Sequence, residues 1–415
     1  MTDAFVLGGV RTPVGRYGGS LSHIRTDDLL GQTMVAACER VGVPLERIED
    51  IVAGCVNPAH EGMGDIARWA ALRSGFPDSV PAITVNRFCA SSLSGAISIA
   101  HAIRSDELSV GLAAGVESMS RSGWALMKGE APFMPRGPVF MLDTMWAGAG
   151  GPPNPSLLAR DAYIDMMRTA QNVADRYELT REEIDAFALR SHQRAAAGRD
   201  SGRLAKEIQP VEIEATRKQP ARTFEHDESI RDDTTAEKLA ALPPQPNTTQ
   251  MTAGNSSPLN DGASAVVLAG AAAAEELSAE PLARVVASAT HALDPQVMGI
   301  APAFAIPKAL ERAGLAPADV DVWEIHEAYA SVAVAILREL TRQLDGFEIP
   351  DERLNPNGGA VAIGHPFGSS GTRYVLTLAT ELRLREARYG VLGVCVGSGQ
   401  GVALVLENPN QAPRR

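Results

Sequence analysis

Residues 37–56 (ACERVGVPLERIEDIVAGCV) and 309–328 (ALERAGLAPADVDVWEIHEA) read alike. Each is a helix ending at a glycine, then a proline-containing turn, then an acidic step into a strand. A second pair, DELSVGLAAGVESM (106–119) and EARYGVLGVCVGSG (386–399), places a strand of small residues after a helix. Aligning Ile48 with Val320, and Val110 with Val391, gives nearly equal offsets of 272 and 281 residues. Short apolar strands alternating with amphipathic helices already specify an α/β protein. The repeat narrows this to a duplicated α/β unit.

Between the halves, from about Arg121 to Thr252, the texture changes. WALMKGEAPFMPRGPVF and GAGGPPNPSLL are rich in proline and glycine and carry no clear period. TREEIDAFALRSHQRAAAGRDSG reads as a surface helix with Thr180 as N-cap and Glu183 completing a capping box. This stretch is expected to be an insertion folded over the first half. The strand ASAVVLAG (263–270) then returns to the core, and PLARVVASA (281–289) opens the second half.

Three segments concentrate chemistry. In NRFCASSLSG (86–95), Cys89 follows the strand candidate Val80–Val85 and precedes a helix with apolar spacing at Leu93, Ala96, Ile97, Ala100 and Ile103. A cysteine at a helix N-terminus is expected to have a lowered pKa. A buried small hydrophobe is the other reading of the same residue. NPNGGAVAIGHPFGSSG (355–371) places His365 in a glycine-crowded loop, where close backbone approach to a ligand is allowed. In VLGVCVGSGQG (391–401), glycines after Cys395 offer backbone N–H groups of the kind that bind an oxyanion. HEAYA (326–330) puts His326 and Glu327 at the exit of the strand DVWEI, or at a polar helix start.

Composition excludes several classes. A net charge of −12 argues against nucleic acid or an anionic membrane surface as general partners. Four cysteines without a CxxC or Cys/His ligand spacing suit neither a disulfide framework nor a structural zinc site. No basic n-region leads into a long apolar run, and no stretch reaches the ~20 apolar residues of a membrane span. A cytoplasmic location is therefore expected.

VRTPVGRYGG, NRFCASSLSG, AGVESMS, TAGNSSPLNDGASA, HEAYA, GGAVAIGHPFGSSG and CVGSGQG occur in the order and spacing of the thiolase family, which the whole chain resembles. The resemblance implies two βαβαβαββ halves in a five-layer αβαβα arrangement with an inserted loop domain that helps hold coenzyme A. The implied division is 1–120 with 259–275 for the first half, 121–258 for the loop domain and 276–415 for the second half. It further implies thiolytic cleavage of a 3-ketoacyl-CoA, or the reverse condensation, with CoA as substrate and neither metal nor bound cofactor. Cys89 is then the acylated nucleophile, His365 its base, and Cys395 the second acid–base cysteine. Gly397 and Cys89 supply N–H groups to one oxyanion hole, and His326 serves the other. Ser257 is expected at the pantetheine, Arg231 at the adenine end of CoA, and Met166 at the acyl pocket. Homodimers or homotetramers are the implied assemblies.

The chain departs from the family pattern at His326 and Tyr329 (commonly Asn and Phe), Ser92 and Ser398 (commonly Gly), Asp165 (commonly His) and Pro258 (commonly Gly). Ser92 is expected to crowd the turn after the nucleophile. His326 resembles the degradative branch. A biosynthetic acetoacetyl-CoA thiolase and a non-catalytic lipid-binding relative are the alternatives, and retention of Cys89, His365 and Cys395 disfavours the second. A ketoacyl-carrier-protein synthase would want a second histidine in place of Cys395.

Overall fold

A computed structural model describes residues 2–57, 60–126, 141–145, 154–158, 164–215 and 220–411. Most of the proline- and glycine-rich stretches noted above fall outside these residues. The two sequence repeats fold alike. Gly42 (φ 69°) and Gly314 (φ 68°) each cap a helix in the left-handed conformation, where a side chain would cost about 1–2 kcal/mol. The strands that follow, Asp50–Gly54 and Val320–Ile325, pair in parallel with Val110–Ser118 and Tyr389–Val396 respectively.

In the first half the strand order is Ala4–Arg11, Asn260–Gly270, Val110–Ser118, Asp50–Gly54, Ala82–Val85. In the second it is Ala283–Ala292, Gln400–Glu407, Tyr389–Val396, Val320–Ile325. The two orders match position for position. They differ at the fifth place, where the second half has only a single bridge, Trp323 to Leu354. They differ again before the last strand. Three residues, Gly397–Gly399, join the final hairpin of the second half, whereas the whole segment from Met119 to Leu259 stands at that point in the first. The half-sheets meet at Phe5–Arg284 and Val6–Ala283, paired antiparallel.

Five layers follow from where the apolar faces go. Helices Ser91–Arg104 and Phe367–Leu384 pack on each other between the half-sheets. The middle core holds Leu93, Ile99, Val375 and Leu378 of these helices with Val52, Val266, Val322 and Leu404 of both half-sheets. Helices Thr26–Val41 and Ile66–Arg73 cover the outer face of the first half. Pro302–Ala313 and Ala330–Gln343 cover that of the second. Thr180 and Glu183 form the expected capping box on the helix Arg181–Asp200.

Small residues let four backbones converge at the middle layer. A Cβ on Gly368 would lie 2.4 Å from the Val116 carbonyl oxygen, 2.7 Å from that of Gly54 and 2.9 Å from the Cys55 Cα. All three are backbone atoms of the sheet, so none can swing away. Gly368→Ala is therefore expected to destabilise the fold by about 1–3 kcal/mol or more and to push the loop carrying His365 off its seat. Thermal denaturation of the purified variant checks it; an unchanged midpoint would contradict the packing described.

Candidate active site

The strand Ala82–Val85 delivers the chain into a tight elbow. Asn86 Oδ1 accepts the Phe88 N–H at 2.9 Å, and Phe88 adopts a left-handed φ of 44°. Ser91 Oγ accepts the Arg87 N–H at 2.9 Å and donates to the Phe88 carbonyl at 2.6 Å. A bulky residue held at positive φ stores on the order of 1–3 kcal/mol and marks an over-determined turn. The turn sets Cys89, half-buried, just ahead of the helix Ser91–Arg104. The backbone N–H groups of Gly397 and of Cys89 itself point at its sulfur. The expected lowering of the thiol pKa does not hold. Desolvation outweighs both N–H groups and pushes Cys89 up to about 12, so the resting group is a thiol.

Two histidines face it. Cys89 Sγ and ring nitrogens of His326 and His365 all lie within 4.8 Å of one another, and the two rings are 4.3 Å apart between centroids. Ser370 Oγ lies 2.7 Å from His365 Nδ1 and 2.9 Å from the Pro366 carbonyl oxygen. With its single proton placed on that carbonyl, the hydroxyl accepts from His365, which gives the Nδ1–H tautomer and leaves Nε2 a lone pair. That Nε2 is buried and unpartnered. Asn260 Oδ1 anchors the loop by accepting the His365 backbone N–H at 2.9 Å. Burial, with the charge of the nearby Arg373 guanidinium, holds the His365 pKa well below its usual value and that of His326 down to about 3. Both imidazoles are neutral.

Cys395 is the penultimate residue of the strand Tyr389–Val396, beside this group. Burial, and the proximity of Cys89, raise its thiol far above the usual range, and its own and the Ala328 N–H groups point at the sulfur. Desolvation raises the phenol of half-buried Tyr329, and Asp165 and both cysteines lie close enough to raise it further. HEAYA is a strand exit followed by a turn, since the helix begins only at Ala330. Glu327 accepts from Ser191 Oγ at 2.6 Å and Asn355 Nδ2 at 2.7 Å, tying the inserted helix to the histidine loop.

The residues expected at CoA lie further out. Arg231 lines a cavity of about 440 Å³ with Arg16, His192 and Pro258. Ser257 donates its N–H to the Ala328 carbonyl at 3.0 Å, between that cavity and the cysteines. Met166, half-buried, opens the helix Met166–Arg176 and packs on the outer core of the second half.

The thiolase N-terminal domain family matches residues 4–272, and the thiolase C-terminal domain family matches 279–408. The chain belongs to the thiolase family. It is 43% identical over 409 residues to a beta-ketoadipyl-CoA thiolase of Pseudomonas aeruginosa, covering 98% of this chain and 99% of that one. It is 40% identical over 411 residues to the 3-oxoadipyl-CoA/3-oxo-5,6-dehydrosuberyl-CoA thiolase of Escherichia coli, covering 98% and 100%. Human mitochondrial 3-ketoacyl-CoA thiolase superposes with a TM-score of 0.89 at 34% identity, covering 98% of this chain and 99% of that one. As a thiolase, the protein is an acyltransferase with CoA among its substrates.

Its departures from the thiolase pattern acquire physical reasons. Ser92 does not crowd the turn: its Oγ accepts the Thr372 N–H at 3.0 Å and bonds the two central helices together. Asp165 caps the helix Met166–Arg176 by accepting the Arg168 N–H at 3.1 Å. Ser398, exposed, carries the left-handed φ of 62° that glycine would adopt without strain. Three contributors were not singled out from the sequence. Glu117 is buried, accepts N–H groups of Val56, Asn57 and Gly368, and is pushed up to about 7 by desolvation. Ser370 and Tyr374 carry the histidines. AGVESMS contained the signal for Glu117, an acid ending an otherwise apolar strand.

Proposed function

We propose that this thiolase works in the degradative direction, cleaving a 3-ketoacyl-CoA with CoA to acetyl-CoA and an acyl-CoA two carbons shorter. The observation that carries the thiolase chemistry is His365, buried with Nε2 unpartnered among the described residues and with a ring nitrogen within 4.8 Å of the Cys89 sulfur; histidine at position 326 is what favours the degradative direction. A neutral thiol beside a neutral base is one arrangement by which a cysteine nucleophile is activated. As Cys89 Sγ attacks the 3-keto carbon, His365 Nε2 takes its proton. The carbonyl oxygen draws hydrogen bonds from the N–H groups of Cys89 and Gly397. The C2–C3 bond then breaks and its electron pair passes to an acetyl-CoA enolate, whose oxygen accepts from His326. Cys395, a thiol because its pKa is raised, protonates the enolate carbon. It recovers a proton from incoming CoA, which attacks the acyl group on Cys89. The Cys89 sulfur leaves and regains its proton from His365.

The cavity is lined by Arg16 and Arg231 and also by Glu228, Asp232 and Asp233; its two guanidinium groups support a place for the adenine end of CoA, with Ser257 along the pantetheine and Met166 toward the acyl group. The strand Asn260–Gly270, seated between Ala4–Arg11 and Val110–Ser118, supports assigning 259–275 to the first half and 121–258 to a loop domain. Ala82–Val85 is a free sheet edge with Ile83 52% exposed, which supports homodimers or homotetramers.

The test is thiolysis of 3-oxoadipyl-CoA, acetoacetyl-CoA and 3-oxooctanoyl-CoA by the full chain, alongside condensation of acetyl-CoA. Thiolysis of a longer ketoacyl-CoA at least about tenfold faster in kcat/KM than that of acetoacetyl-CoA is expected. Preference for acetoacetyl-CoA with efficient condensation would reverse the assigned direction. No turnover of any of them, with CoA bound, would remove the catalytic reading for these substrates.

A further inference from the structure

We propose that Tyr374 is a positioning residue that locks His326 in the Nε2–H tautomer, so that the two active-site histidines present opposite functions to the substrate. The inference rests on the thiolysis reading and deepens it. It begins with helix Phe367–Leu384, on which Ser370 and Tyr374 are one turn apart and share a face. Ser370 meets His365 Nδ1 at 2.7 Å, and Tyr374 Oη meets His326 Nδ1 at 2.8 Å. One helix face therefore touches both rings at the same atom.

The two contacts run in opposite directions. Ser370 Oγ lies 2.9 Å from the Pro366 carbonyl oxygen, and with its proton placed there Ser370 accepts from His365. The Tyr374 hydroxyl is buried, and the group against its ring is the Arg373 guanidinium, 4.1 Å from the centroid. Guanidinium has donors and no acceptor. Among the described residues, the acceptor within hydrogen-bond distance of the Tyr374 proton is His326 Nδ1. Tyr374 thus donates, and the neutral His326 carries its proton on Nε2.

The consequence is chemical. Among the described residues His326 Nε2 and His365 Nε2 are both buried without partners, and a ring nitrogen of each lies within 4.8 Å of the Cys89 sulfur. With the same tautomer, both would offer lone pairs, and the donor to a developing enolate oxygen would be His365 alone, once it holds the thiol proton. With opposite tautomers, His365 takes the thiol proton while His326 donates to the oxyanion. An asparagine at position 326 has its donor fixed by the amide and needs no such partner. A histidine there needs one, because an imidazole offers a donor or an acceptor at Nε2 according to what holds Nδ1.

The experiment combines nitrogen-15 NMR of the histidine-labelled full chain with kinetics of Tyr374→Phe, which keeps the ring and removes only the hydroxyl. Wild type is expected to show His326 as Nε2–H and His365 as Nδ1–H, each assigned through its alanine variant. Tyr374→Phe is expected to convert His326 to a mixture and leave the His365 signals in place. It should lower kcat by about ten- to a hundredfold with KM changed less than about twofold. In a His326→Asn background the same substitution should have no further effect on kcat, since the amide has no tautomer to lose. A wild-type spectrum with His326 as Nδ1–H, or an equal kcat loss in the His326→Asn background, would overturn the inference. The spectrum is read without substrate and needs no variant of Tyr374. Opposite tautomers in a chain that turns over no ketoacyl-CoA would uphold the tautomer assignment while sinking the thiolysis reading.

Discussion

Replacing Cys89 with alanine is expected to lower thiolysis by a factor on the order of 10⁴ to 10⁶, the loss seen when a nucleophile is removed from a nucleophile–base unit. The magnitude follows from what remains. Cys395 is a thiol nearby, but it is buried where Cys89 is half-buried, and its pKa too is raised. It has no free imidazole lone pair assigned to it, so it cannot inherit the acyl group. The N–H groups of Cys89 and Gly397 survive the substitution, because they belong to the backbone. A variant that binds acyl-CoA and stabilises its carbonyl without reacting is the expected result. The fold should persist, since the elbow is held by Asn86, Ser91 and backbone bonds, none of which uses the sulfur. Two measurements check it together: the steady-state rate, and the protein mass after incubation with a 3-ketoacyl-CoA. Wild type should gain an acyl group on Cys89. Residual activity above about one per cent, or an acyl group found on the variant, would assign the nucleophile elsewhere.

Much of this arrangement was legible in the sequence because it is written in local signals. The glycine caps at Gly42 and Gly314, the capping box at Thr180 and the strand before Cys89 each depend on a few neighbouring residues. Their repetition gave the duplicated fold. Position 354 escaped because a single bridge carries no run of alternating residues. The helix-dipole argument at Cys89 also failed, and for a physical reason. Proximity to a helix start is visible in sequence, whereas desolvation depends on Phe88, Gly397 and the facing histidine loop closing over the sulfur. The partners of the histidines were invisible for a related reason. Ser370 lies five residues from His365, but Tyr374 is 48 from His326. Only the fold brings that phenol to the ring. Asp165 and Ser92 looked like losses from a familiar pattern, yet each supplies a hydrogen bond that the pattern does not record.

Removing the base is expected to change the shape of the pH profile as well as its height. His365→Ala should lower the rate of acyl-enzyme formation by at least about a thousandfold, near the upper end of what a positioned base contributes. On the proposed mechanism the reactive pair in wild type is a neutral thiol and a neutral imidazole. His365 stays unprotonated down to well below its ordinary 6.5, and Cys89 stays protonated up to about 12. Both forms therefore persist across the neutral range, and kcat/KM for acylation should be flat from about pH 6.5 to about pH 9. Without His365, attack needs thiolate formed by loss of a proton to solvent. Below the Cys89 pKa that fraction rises tenfold for each pH unit, so the rate of the variant should climb with a slope of one. Rapid-quench measurement of acyl-enzyme formation from about pH 5 to about pH 9 separates the outcomes. A variant whose profile stays flat would mean that another group takes the Cys89 proton. A wild type that loses activity below pH 6.5 with an apparent pKa near 6 would mean that His365 is reached by solvent, and that burial does not keep it neutral. A rising slope in the variant beside a plateau in the wild type would leave His365 Nε2, held by Ser370 and seated by Asn260, as the acceptor of the proton on which the reaction turns.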